Sequence, residues 1–419
     1  MAIEAPVAAA TGRSGRPSAS STVLVTDADD SSALAIIRSL GRAGRRVVAT
    51  GSVAGSAGFY SRHTTLAVRT PPPSRAPLAF VDRILDTIKR HGVELVVPVS
   101  DASLIPLSVA RDRFPPRCRL AAPPREALDV ALSKHRTLEL ATNLGVAVPS
   151  TRTACTPEEA LQAAQEIGYP VVLKPESSYR LDPERGLDRR GTVYAGTPGA
   201  VARAMNELAG VGDVLVQETC AGHGVGVELL MADGDPVLAF QHRRIREVPV
   251  VGGASAMRQS EPLHPALYAQ SVDLLRSLRW TGIAMVEFKV DGECSALMEI
   301  NGRAWGSLPF AQQAGVDFAE GLVRVHLERA TGDLAPLGSY AVGMRGRNLE
   351  LDLLWATAVL AQRRRYSFLP FPPRWAAVAV LRDLVRPGVR DDVLSGSDPR
   401  PAAVSILRAA SRLARHAWR

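Results

Sequence analysis

The sequence predicts a mixed α/β and α+β protein: an N-terminal doubly wound parallel domain, a small lid domain among antiparallel strands, and a C-terminal helical extension. Three observations predict it. Residues 22–51 read strand, helix, strand; residues 150–220 read strand, loop, helix, strand; residues 282–300 give two strands of period two around Asp291-Gly292.

Residues 1–21 (MAIEAPVAAATGRSGRPSASS) carry Glu4 where a signal peptide carries positive charge and lack a continuous apolar run, so a disordered leader is expected. In the opening βαβ unit Leu34, Ile37 and Leu40 share one helix face. A helix over Leu78 to Arg90, a buried strand over 94–99 and a turn at Ser100-Asp101 extend the domain to about residue 120. The first turn holds Asp27, Asp29 and Asp30 and no G-x-G-x-x-G, and acids there repel a pyrophosphate, so a dinucleotide is not expected. Asp101 either borders the first domain's pocket or caps its turn.

The second unit is expected over 121–335, with its lid over about 150–220. After the Pro-rich connector 115–126, ALDVALSKHRTLELATNLG reads as one helix ending at Gly145. GYPVVLKP and DVLVQETC are strands flanking a Gly/Arg/Asp-rich loop (176–192) and a helix near 198–209. VGVELLM, DPVLAFQHRR, IAMVEFKV and SALMEI supply further strands. Residues 336–419 then read as a basic helical extension.

Charge is unevenly placed. The net charge of the 419 residues is +8, and residues 340–419, with fourteen arginines against six acids, account for all of it. No run reaches the roughly 18 uncharged apolar residues of a membrane-spanning helix. The four cysteines are widely spaced without C-x-x-C, which excludes a disulfide framework and a zinc knuckle and suits a reducing cytoplasm. Lysine occurs only at positions 89, 134, 174 and 289.

The chemistry concentrates on one hairpin. A period of two puts Glu299 and Asn301 on one sheet face, where Glu287 joins them across the ladder. Three converging oxygen ligands suit one or two Mg²⁺ ions carrying substrate phosphates. The competing reading, a solvated face with ordinary acids, is disfavoured by the apolar neighbours Met285, Met298 and Ile300. Lys174 ends a strand before Pro175, and Lys134 lies on the helix leading to the lid; two fixed ammonium groups can neutralise phosphate oxygens. The strand ending at Gln217-Glu218 runs into an irregular link at Cys220, whose backbone can bond an adenine edge, while Glu228 can accept from ribose hydroxyls. Cys220 has no His or Cys partner in sequence reach and is read as a backbone contributor.

With these stretches and GIAMVEFKVDGECSALMEINGRAWGSLP, residues 22–330 resemble ATP-grasp enzymes of the carboxylate–amine ligase type, similar to carbamoyl-phosphate-synthase-like ligases. The resemblance implies an ATP-grasp fold with a pre-ATP-grasp domain. It implies Lys134 and Lys174 on the ATP phosphates, Glu218 and the Cys220 backbone at adenine beside Gln217, and Glu228 near ribose. Glu287, Glu299 and Asn301 would hold Mg²⁺, or Mn²⁺ as an alternative, and Arg303 with Lys174 would serve phosphoryl transfer. The lid loop PESSYRLDPERGLDRRG departs from the family's glycine-rich loops, leaving Ser177, Ser178, Gly186 and Gly191 to offer amides.

Residues 241–260 resemble an acceptor pocket. Arg243 and Arg244 end a strand beside His242 and could grip a carboxylate, with amides from Gly252, Gly253 and Ser255; a basic surface hairpin is the competing reading. The expectation is an ATP-dependent ligase that activates a small-molecule carboxylate as an acyl phosphate and joins it to an amine. A carbamoyl-phosphate-type kinase and a non-catalytic ATP-binding regulatory protein are the alternatives. Nucleic acid is not expected, since no motif or interleaved aromatic accompanies the charge. The tail either packs its apolar face on the body or docks on a membrane surface or an acidic partner. A homodimer is common in this fold, and the oligomeric state is otherwise open.

Overall fold

The computed structural model describes residues 21–177, 179–182, 186–189, 191–210, 212–330 and 337–417, so the leader lies outside the described residues but for Ser21. The first domain is a five-stranded parallel sheet of order β3-β2-β1-β4-β5, built from β1 (Thr22–Val25), β2 (Arg46–Gly51), β3 (Leu66–Arg69), β4 (Leu95–Val97) and β5 (Arg119–Leu120). Its helices are α1 (Ser31–Arg42), α2 (Pro77–His91) and α3 (Asp101–Val109). Residues 23–25 are fully buried because a parallel sheet is covered on both faces. Asp30 caps α1 by accepting from the Ser32 amide. Asp27 accepts from the Ser100 amide and the Ser103 hydroxyl, tying the first turn to α3. The turn expected at Ser100-Asp101 is therefore a helix start, with Ser100 as its cap.

The helix expected before Gly145 is two helices, α4 (Arg125–Leu132) and α5 (Lys134–Asn143). Ser133 separates them: its backbone is extended, its hydroxyl accepts from the Arg136 amide, and it donates to the Glu176 carboxylate. Lys134 thereby becomes the first residue of a helix. The lid follows as β6 (Thr151–Ala154), α6 (Pro157–Ile167), β7 (Val171–Pro175), β8 (Tyr179–Asp182), β9 (Gly186–Arg189), β10 (Val193–Ala195), α7 (Pro198–Glu207) and β11 (Val214–Glu218). Four of these strands form an antiparallel sheet of order β10-β7-β11-β6, packed on α6 and α7 through Ala160, Ala164, Val201 and Ala204. The 176–192 segment, expected as a loop, contains the β8–β9 hairpin; Ser178 lies outside the described residues.

The large sheet comprises β12 (His223–Ala232), β13 (Asp235–Val248), β14 (Ala254–Ser260), β15 (Gly282–Asp291), β16 (Cys294–Asn301), β17 (Arg345–Arg347) and β18 (Val389–Asp391). Its order is β16-β15-β12-β13-β14-β17-β18. Helix α8 (Pro265–Ser277) covers one face, and α9 (Leu308–Ala314) with α10 (Phe318–Val323) joins the other to α1. The described residues of 336–419 form the expected helical C-terminus, with two short strands added. Strands β17 and β18 complete the sheet, α11 (Leu349–Leu360) packs across β13 and β14, and α12 (Val378–Val385) packs on α11. The last helix, α13 (Arg400–Ala417), lies against residues 57–60 of the first domain, where Arg408 reaches the Gly55 carbonyl.

The cause is charge complementarity. Of the six acids in 340–419, Asp352, Asp383, Asp391, Asp392 and Asp398 turn inward. Asp352 and Asp383 bracket Arg246 at 2.6 and 2.8 Å, Asp392 pairs with the fully buried Arg258, and Asp398 holds Arg38 at 2.9 Å. Among the described residues no helix is long and apolar enough to cross a membrane.

Candidate active site

Strand register assembles the site. Glu287 opposes Glu299, Met285 opposes Asn301, and Gly226 opposes both Glu287 and His242, so these side chains share one face of the large sheet. Gly224 and Gly226 make room there. A Cβ at Gly226 would lie 2.7 Å from the His242 ring, and one at Gly224 would lie 2.9 Å from Arg244.

The Asn301 amide nitrogen donates to Glu287 and to Glu299, each at 3.0 Å. Arg244 contacts Glu287 at 2.6 Å and Glu247 at 3.3 Å, and Lys289 stands 3.7 Å from Glu247. Burial raises the Glu287 carboxyl, and the charge of Glu299 adds to that against the pull of Arg244. Burial also opposes ionisation of Glu299, but the Asn301 hydrogen bond with the Lys134 and Lys174 charges outweighs it and holds this carboxyl below its usual range.

The two lysines arrive from different elements. Lys134 opens α5, donates to the Pro175 carbonyl at 3.1 Å, and is brought by burial down to about 8. Lys174, near the end of β7, is also lowered by burial and donates to Gln217 at 2.8 Å; Gln217 in turn donates to Thr151 at 2.9 Å. Gln217 thus orients Lys174, a task its place at a strand end did not reveal. Glu218 is exposed at the end of β11, where its carboxylate accepts from the Ser150 amide at 3.2 Å, and Cys220 is half-buried just beyond. Arg303 donates to Asp101 at 2.9 Å, joining the first domain to the site. A cleft open to solvent runs past Asp101, Lys134, Thr137, Glu299 and Asn301.

Five expected residues, Glu228, Arg243, Gly252, Gly253 and Ser255, lie away from this cleft. Glu228 is fully enclosed: it accepts from Ser307 at 3.0 Å and stands 3.0 Å from the His242 ring, with burial pushing its carboxyl well up, so it presents no surface to a ribose. It lies in the middle of β12, well past the link at 219–222. Arg243 points away from Arg244, because neighbours on a strand face opposite sides, and pairs with Glu261 at 2.8 Å. The two arginines expected to act together therefore face opposite sides of the sheet. Gly252 and Gly253 form the β13–β14 turn; a Cβ at Gly253 would lie 2.4 Å from the Val248 carbonyl oxygen, and the Ser255 hydroxyl is buried without a partner.

Among the described residues no three His, Cys, Asp or Glu side chains converge as a metal cage. Two carboxylates and an amide do converge, and they are hard oxygen donors of the kind Mg²⁺ takes when a phosphate supplies the remaining ligands. Asn301 bridges the two half-buried acids through its amide nitrogen.

A parallel first domain, an antiparallel lid carrying a lysine and a large sheet carrying the acid pair make up the ATP-grasp fold. The ATP-grasp domain profile matches residues 125–183, which contain both Lys134 and Lys174. The carbamoyl phosphate synthase large chain of Thermotoga neapolitana is 25% identical over 333 residues, covering 76% of this chain and 28% of that one. The corresponding chain of Rubrobacter xylanophilus is 28% identical over 275 residues, covering 62% and 25%. The protein therefore spans about a quarter of the length of these relatives. Among solved structures, biotin carboxylase from Campylobacter jejuni superposes with a TM-score of 0.60 at 16% identity, over 77% of this chain and 74% of that one. N5-carboxyaminoimidazole synthetase from Staphylococcus aureus gives 0.60 at 10% identity, over 78% and 80%.

Proposed function

We propose that the protein is an ATP-dependent ligase that activates a small carboxylate as an acyl phosphate and transfers the acyl group to an amine, releasing ADP and phosphate. The observation that carries this reading is the Asn301-bridged pair of Glu287 and Glu299, with Lys134 lining the same cleft as Glu299 and Asn301 and the Lys134 and Lys174 charges both acting on Glu299. Lys174, fixed by Gln217, and Lys134, fixed on the Pro175 carbonyl, are placed to take the charge of the phosphates. Mg²⁺ held by Glu287, Glu299 and Asn301 would supply charge neutralisation for the transferring phosphoryl group. Arg303, oriented by Asp101, would hold the carboxylate or its phosphorylated form by a charge-assisted pair. Glu218 and the backbone around Cys220 would take the adenine end, and Arg244, released from Glu287, would meet an anionic acceptor. The lid would cover the acyl phosphate against water.

ADP release with Mg-ATP against pooled amino acids, small carboxylates and bicarbonate tests the proposal, with Glu299→Ala as control. One pool is expected to stimulate release, and the variant is expected to lose about 100-fold or more of that rate. Nucleotide binding with no pool effective, bicarbonate included, would instead support a regulatory nucleotide binder.

A further inference from the structure

The outer face of α11 and α12 is unlike the rest of the surface. Both helices turn one stripe inward, Asp352, Trp355 and Val359 from α11 and Val380 and Asp383 from α12, with Ala377 just ahead of it, onto a small core that includes Val248. The opposite stripes, facing away from that shared core, are apolar. Leu353, Leu354 and Leu360 emerge from α11; Trp375 just before α12 is 75% exposed, and Val378, Leu381 and Val385 follow at 62%, 63% and 82%. Their spacing of three, three and four residues is that of one helical face. Scattered apolar residues are ordinary on a surface, but a contiguous patch of this kind marks a contact.

Six exposed arginines lie in the same segment: Arg363, Arg364 and Arg365 after α11, Arg374 beside Trp375, and Arg382 and Arg386 on and after α12. Arg365 contacts Glu207 at 3.3 Å, Arg364 lies over Phe371, and Arg382 is 3.9 Å from the buried Asp383. Over residues 349–390 the exposed acid is Glu350 alone, because Asp352 and Asp383 point into the body. The segment thus shows its cations outward and keeps its anions inside.

We propose that this face docks on an anionic lipid surface, with Trp375, Val378, Leu381 and Val385 entering the headgroup boundary and the arginines meeting lipid phosphates. Charge decides the occupant. A second copy seated on the same patch would bring two sets of six arginines face to face, whereas an anionic bilayer neutralises one set.

Vesicle flotation of the full chain tests this, using phosphatidylglycerol-containing vesicles against pure phosphatidylcholine and following Trp375 fluorescence. Binding is expected to the anionic vesicles, to weaken as salt rises, and to shift emission to the blue in the parent but not in Trp375→Phe. Val385→Asp, at an exposed position, is expected to lower partitioning about tenfold while nucleotide binding stays at the parental level. Equal binding to both vesicle types, no binding, or parental binding by Val385→Asp would overturn the proposal. So would a homodimer in light scattering that Val385→Asp converts to monomer, which would assign the face to a second copy.

Discussion

Asn301 shows how a single side chain can set a site's resting state. Its amide nitrogen neutralises part of the repulsion between Glu287 and Glu299, so a cation entering the site must turn that amide to bring its oxygen inward. Cysteines offer a second view at this scale. Burial pushes the Cys118 thiol up to about 12, while Cys294 is exposed and Cys155 is exposed but raised by its hydrogen bond to Asp213 at 3.3 Å. Alkylation followed by peptide mass spectrometry is expected to mark Cys294 first, Cys155 and the half-buried Cys220 more slowly, and Cys118 only after unfolding. Mg-ATP is expected to slow Cys220 alone; an unchanged Cys220 rate would move the adenine away from this link. His326 makes a prediction about pH. Burial lowers it to about 4, with Arg111 and Arg119 adding to the effect, and its Nε2 atom has no partner. The folded state then binds this proton less readily than the unfolded chain, so stability is full above about pH 6.5 and falls as pH drops toward 4, by roughly 3 kcal/mol. His326→Leu should flatten that part of a melting-temperature profile, and an unaltered slope would trace it to other groups.

Among the elements, α11 is the one whose loss would travel furthest. Through Asp352 it clamps Arg246, whose other side is held by Asp383 before the end of α12, and the Arg246 guanidinium also lies 5.5 Å from the Trp355 ring. Asp352→Ala leaves a buried guanidinium half-compensated and is expected to cost about 3–5 kcal/mol, read as a lower urea midpoint. Replacing Arg246, Asp352 and Asp383 together by apolar residues of similar volume should recover much of that loss. A single-variant cost below about 1 kcal/mol would show the clamp to be incidental. The α4–α5 break is the element-scale lesson in reading sequence. Ser133 caps α5, yet the residue three positions on is Arg136 rather than Glu or Gln, so the reciprocal capping signal is missing and one continuous helix is the natural expectation.

For the whole molecule, what could be read from sequence was what is local. The opening βαβ unit and the Glu287–Glu299–Asn301 hairpin rest on periods of 3.6 and 2 within a few residues, and the site's face follows from them. Strand β14 was missed because a Gly-rich turn precedes it, and β17 and β18 because three residues carry no periodic signal. Arg243 and Arg244 looked equivalent until register set them on opposite faces. Glu228 looked available because nothing in its neighbourhood announces Ser307 and His242 as its partners. The tail's five inward acids were least legible of all, since their partners lie from 44 to 360 positions away and no single-sequence pattern reports that distance.

Those long reaches have a consequence for the order in which the chain is made. Synthesis delivers Arg38, Arg246 and Arg258 well before Asp352, Asp383, Asp392 and Asp398, so on a nascent chain each of these guanidiniums waits for its counter-ion. Arginine cannot shed its charge to wait in an apolar interior. The contacts that bury these arginines are therefore expected to close only after the acids of 352–398 have been made.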